Sequence, residues 1–133
     1  MPNWSENNIL FDDKESLKMF IKKVINKNGD INFNLITKDK TRWDSKCNPF
    51  DTTICVGEQS ICYHTINGDG ATPIKLFFDS YKHCKATMIS AIEGFGIYVY
   101  HFNNSDIDTD SCIEFYLDAG YKKKNVYFMN KGE

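Results

Sequence analysis

Residues 12–29 constrain the fold more than any other stretch. Leu17, Phe20, Ile21, Val24 and Ile25 recur at helical spacing, and Lys14, Lys18 and Lys22 line the other side. That period belongs to an amphipathic helix with one face committed to a core. Asp12 and Glu15 form an Asp-x-x-Glu capping pattern, and Phe11 is placed to staple the first turn. Asn28-Gly29 is a C-terminal stop, so a helix is expected over 13–28.

Strand-type patterns surround this helix. Residues 5–11 end in an apolar Ile9-Leu10-Phe11, and Ile31, Phe33 and Leu35 alternate with Asn32, Asn34 and Ile36, which reads as a strand. Thr52 to Val56 and Ser60 to Ile66 are rich in β-formers and flank Gly57-Glu58-Gln59, which reads as a hairpin. Asn67-Gly68-Asp69-Gly70 is a turn. Residues 73–93 fit either one long helix or a helix to about Lys82 followed by a strand over 85–92; Pro73 suits a first helical turn with Thr72 as N-cap. Ile97–Phe102 reads as a strand. Cys112–Leu117 and Asn125–Met129 read as two more, joined by a turn near Ala119-Gly120.

The chain has 133 residues, enough for one domain over 1–133 with a single core. No apolar run approaches the roughly 20 residues of a membrane span, and the polar start carries no charged-then-apolar leader. The five cysteines, Cys47, Cys55, Cys62, Cys84 and Cys112, fit no disulfide framework. Reduced thiols in a cytoplasmic setting are the simpler expectation. Fifteen Lys stand against the single Arg42, and the net charge is −2. Arg is the residue suited to bidentate base recognition, so direct sequence-specific DNA binding is disfavoured.

Chemical constellations are sparse. Asp106, Asp108 and Asp110 alternate as the first ligands of a calcium loop do. Ser111 stands where that loop needs Gly and Leu117 where it needs Glu, so a solvated acidic hairpin is expected instead. Cys62, His64, His83 and Cys84 are soft metal ligands at spacings that match no zinc motif. No nucleophile elbow, phosphate loop or paired-carboxylate motif is present, so no catalytic residue, metal or cofactor is assigned. The lysines of the helix and the Lys122-Lys123-Lys124 run read as solubilising surface. Residues 103–118 carry Asp106, Asp108, Asp110, Glu114 and Asp118 and no Lys or Arg, a segment suited to docking on a basic surface.

Met1-Pro2-Asn3-Trp4 followed by Ser5-Glu6-Asn7-Asn8 resembles the opening of the YubB-like ferredoxin-fold family of plasmid and phage proteins. Asp30-Ile31-Asn32-Phe33-Asn34 is similar to that family's Phe-Asn-bearing second strand, and Thr41-Arg42-Trp43-Asp44 to its Thr-Lys-Trp-Asp stretch. Pro73-Ile74 resembles its Pro-opened second helix, and Gly94-Phe95-Gly96 its Gly-rich loop. The match spans residues 1–100 in outline. Ser5 stands where the family carries Cys, and residues 66–71 lack its Ala-Trp-Ser-Pro-type stretch. The resemblance implies an α+β fold with an antiparallel sheet, two helices on one face, and a ferredoxin-like core with extra C-terminal strands. It favours the helix-then-strand reading of 73–93. It also implies a mobile-element setting, in keeping with a Lys-, Ile- and Asn-rich composition.

The expected function is a non-enzymatic protein-binding protein that inhibits a bacterial defence system of the CRISPR type. Its partner would be a bacterial protein or ribonucleoprotein with a basic surface. Asp106, Asp108, Asp110 and Glu114 would meet that surface, with Tyr98 and Tyr100 as aromatic anchors. The alternatives are an immunity protein that neutralises a toxin, and a small enzyme or ligand binder using Cys and His in a pocket.

Overall fold

In the computed structural model, which describes residues 3–129, β1 (Trp4–Phe11) buries every second residue against two neighbours at once. It pairs antiparallel with β3 (Ser60–Ile66) and with β4 (Ala86–Ile92), and β2 (Phe50–Cys55) pairs antiparallel with β3. The two helices α1 (Lys14–Val24) and α2 (Ala71–Ser80) connect these strands. They pack Leu17, Phe20, Val24, Ile74, Phe77 and Phe78 against Ile9, Phe11, Ile61, Tyr63 and Met88, the main core. Met1 and Pro2, which open the stretch resembling YubB-like proteins, lie outside the described residues.

The sheet is not the antiparallel one expected. Its order is β2-β3-β1-β4-β5-β6, and β5 (Gly96–Phe102) runs parallel to β6 (Lys124–Met129). A parallel pair needs a crossover, and residues 110–118 supply it as a third helix, α3 (Asp110–Asp118), not as a strand. Its Cys112, Ile113 and Tyr116 recur at helical spacing and pack on Ile89, Ile97 and Val99. Those three residues lie one position out of phase with Met88 and Tyr100 of the main core, so α3 covers the sheet face opposite α1 and α2. The expectation of two helices on one face is corrected accordingly.

Four local expectations also change. The first helix ends at Val24, because Ile25 becomes extended to bridge Ile31 and the Asn26 side chain accepts from the backbone N–H groups of Asn28 and Asp30. Residues 33–35 form a 3-10 turn in place of a strand, capped by the Asn32 side chain. The N-cap of α1 is Asp13, whose carboxylate accepts from the Ser16 N–H at 2.7 Å, one residue later than the Asp-x-x-Glu pattern implied. Asp12 is thereby left for another partner. Residues 73–93 divide into α2 and β4, and Gly70 occupies the α2 N-cap position expected of Thr72. The Thr72 hydroxyl and backbone N–H bond the Asp44 carboxylate instead.

Candidate functional site

The acidic segment is not a hairpin tip. β5 is followed by Asn103 and Asn104, both with positive φ, a conformation that Asn tolerates better than most residues. The buried Asn103 amide donates to the backbone carbonyls of Phe78 (3.0 Å) and Cys84 (2.8 Å), which fixes this corner to the end of α2. The chain then turns Ser105 inward and leaves Asn104 and Asp106 outward. Asp108 accepts from the Asp110 N–H at 2.9 Å and so caps the first turn of α3, where negative charge is favoured by the helix dipole. Glu114 is exposed on α3.

Ser105 is part of a chain of four side chains drawn from four separate segments. The Ser105 hydroxyl donates to Asp12 Oδ1 at 2.6 Å; Thr87 Oγ1 lies 2.8 Å from Ser105 Oγ and 2.9 Å from His101 Nδ1. A hydroxyl carries one proton, and that fixes the direction of every bond. Ser105 donates to the carboxylate, so Thr87 donates to Ser105, and Thr87 therefore accepts from His101 Nδ1–H. The tautomer with Nε2 bare follows. Nε2, across the ring from Thr87, is an acceptor.

His101, Asn104, Ser105, Asp106 and Phe128 line one cleft of about 230 Å³. Phe128, on β6, stacks on the imidazole with ring centroids 4.9 Å apart, while 57% of the residue remains exposed. Burial pushes the His101 pKa below its ordinary 6.5, against the opposing charges of Asp106 and Asp12 and a backbone acceptor on Ser105. Burial therefore favours the neutral ring. The cleft holds a carboxylate, a neutral nitrogen acceptor and an aromatic ring, and it holds no nucleophile. Both nearby hydroxyls donate away from the histidine, the reverse of a serine activated by its base.

The other expected site residues lie elsewhere. Tyr98 and Tyr100 are on the opposite face of β5 from His101, stacked on Tyr127 at 6.5 and 5.5 Å. Tyr100 is 9% exposed and donates to Asp69 Oδ2 at 2.5 Å, so it is a core residue in this chain, not an exposed anchor. Burial raises the Asp69 carboxyl above its usual range, and hydrogen bonds from Tyr100 and from the Ala71 N–H oppose that rise. Thus Asp106 is joined with His101 and Phe128, Asp108 and Asp110 flank them at the start of α3, and the two tyrosines are apart from all of these.

The metal-type residues do not converge either. His64 lies 3.8 Å from Glu6 Oε1 and 3.5 Å from Asp51 Oδ2, His83 is exposed, and Cys84 is buried under the α2–β4 corner. Among the described residues no group of three or more His, Cys, Asp or Glu side chains could hold a metal ion. No helix among them is long and apolar enough to cross a membrane.

Sequence reasoning counted His101 among three histidines and had no reason to single it out. The Thr87–His101 pairing is a cross-strand register contact between β4 and β5, and Ser105 and Asp12 join it only through the loop geometry. No protein-family model matches the chain, and no curated protein or solved structure is significantly similar to it.

Proposed function

We propose that this chain is a non-enzymatic protein-binding domain whose cleft at the end of β5 captures a basic side chain of its partner. The observation that carries the reading is the meeting of Asp106, His101 and Phe128 in one cleft. A guanidinium or ammonium group needs a counter-charge, an acceptor for a second N–H, and a surface for its carbon or π face. Asp106, His101 Nε2 and Phe128 answer these in turn. Asp108 just before the neighbouring helix, and Asp110 and Glu114 on it, extend the negative field around the site and favour encounter with a basic surface.

The resemblance to YubB-like proteins supports a plasmid or phage setting, and the partner class proposed here rests on it. There the partner is a bacterial defence protein or ribonucleoprotein with a basic groove, met in the cytoplasm. Titration of the labelled chain with a short Arg-rich peptide is the direct test, read by NMR at His101 and Phe128. Peptide-dependent shifts at both residues are expected. Asp106→Asn should weaken them by up to about fivefold, since a pair made by an exposed carboxylate is worth about 0.2–1 kcal/mol. Acidification should weaken them too, since a protonated His101 repels a cation and has no acceptor left. Unmoved His101 and Phe128 signals at saturating peptide would refute the reading.

A further inference from the structure

We infer that β6 pairs antiparallel with β6 of a second copy of this chain, joining two sheets edge to edge. In the strand order of the described residues β6 is the last strand. It pairs with β5 over Lys124–Met129 with no register shift. Gly96 lets it come close, since a Cβ there would stand 2.8 Å from the Lys123 carbonyl oxygen. The ladder also shows which groups face away. The Ile97 N–H donates to the Lys123 carbonyl and the Asn103 N–H to that of Met129, so alternate residues serve β5 while Lys124 and Val126 turn their backbone groups outward. Edge strands are ordinarily blunted by charge, proline or a bulge. Here Val126, Tyr127 and Phe128 are consecutive, apolar and exposed on both faces, and charge is confined to the entry of the strand.

Charge identifies the occupant as a second copy. β6 is entered through Lys122, Lys123 and Lys124, and its far end lies beside Asp106. A two-fold axis through Asn125, normal to the sheet, sets Lys124 opposite Val126 of the second copy. It brings Lys122 near Phe128 of that copy, on the face that carries His101. Each copy then places a lysine at the rim of the other's Asp106 cleft, twice over by symmetry. The lysine contact rests on the cleft reading above; the strand pairing does not.

Sedimentation velocity across a range of concentrations tests this. A dimer is expected that weakens with added salt. Val126→Lys and Val126→Pro should both be monomers with unchanged circular dichroism, since the Val126 N–H serves no bond to β5. Lys122→Glu, Lys123→Glu and Lys124→Glu together should weaken the dimer at least tenfold. Adding Asp106→Lys, Asp108→Lys and Asp110→Lys to the same chain should restore it. A wild-type monomer at every concentration, or a dimer that survives both Val126 variants, would overturn the inference. The Arg-rich peptide titrated into the Val126→Lys monomer keeps the two readings apart. Peptide binding without dimers in the wild type sinks only this inference, and dimers without peptide binding sink only the cleft.

Discussion

Thr87→Val is the most discriminating single change, because Thr87 is fully buried and its hydroxyl is the middle of the Asp12–Ser105–Thr87–His101 chain. Valine keeps the shape and removes the oxygen, so no cavity opens. The loss is two hydrogen bonds, of 2.9 and 2.8 Å, each worth about 0.5–1.5 kcal/mol net. Ser105 keeps its bond to Asp12, whereas His101 Nδ1–H loses its hydroxyl acceptor. His101 is half-buried, so water recovers part of that loss, and a cost of about 1–2 kcal/mol is expected. An unfolding entropy of about 2.1 cal/mol/K per residue over 133 residues corresponds to about 0.28 kcal/mol per degree. The melting temperature should therefore fall by about 4–7 °C. Long-range ¹⁵N–¹H correlation of the His101 ring supplies the second readout: the proton belongs on Nδ1 in the wild type and is released from that position in the variant. A wild-type ring protonated on Nε2 would refute the directional argument outright. So would a variant whose ring signals and melting temperature match the wild type.

Two further outcomes test the turn that leads into α2 and the buried acid beside it. Gly68→Ala should cost about 3 kcal/mol or more in thermal unfolding, because φ is +134° and the new Cβ would overlap the Asp44 carbonyl oxygen. Gly29→Ala, at φ +87° with nothing within 4 Å, is the control for backbone strain alone and should cost about 1 kcal/mol. Asp69 gives a pH dependence. Its carboxyl is raised above the ordinary 3.8, so the folded chain holds that proton more tightly than the unfolded chain does. Its contribution is present below 3.8 and is lost as pH rises through the folded value. Urea midpoints from about pH 3 to pH 7 should fall more steeply for the wild type than for Asp69→Asn, and parallel curves would contradict the assignment.

The parts of this fold that could be read in advance are those that a local pattern decides. The α1 stripe is legible because Leu17, Phe20 and Val24 meet one core, and β3 and β5 because they are rich in β-branched and aromatic residues. Two misreadings share one cause, a side chain acting on its own backbone. Asn32 and Asn26 cap local turns, and that ended a strand and a helix where hydrophobic alternation suggested they would continue. The error over 112–117 has another origin. Cys-Ile-Glu-Phe-Tyr-Leu is apolar on both faces as a strand, and as a helix it leaves Phe115 and Leu117 exposed; periodicity alone favours neither. Only the parallel pairing of β5 with β6 requires a helix there, and pairing is a long-range fact. The cleft was half legible for the same reason. Asp106 stood out by charge, whereas His101 acquires its role from Thr87, Ser105 and Asp12, none of which is near it both in sequence and in pattern.

The corrected strand direction is what makes the cleft possible. In the parallel register His101 faces Phe128 and Phe102 faces Met129, so both strands finish at the corner where Asn103 turns the chain toward Asp106. An antiparallel β6 against the same β5 would have exchanged the ends. Lys124 would then stand beside His101 and Asp106, and Phe128 would lie near Ile97, at the far end of the strand. A lysine within the cleft would neutralise Asp106 and remove the aromatic wall, leaving nothing to attract a basic side chain from outside. The crossover helix thus does two things at once. It covers Ile89, Ile97 and Val99, and it carries the basic run about one strand length, roughly 20 Å, away from the acidic corner. That separation leaves each end of β6 able to seek its opposite charge on another molecule.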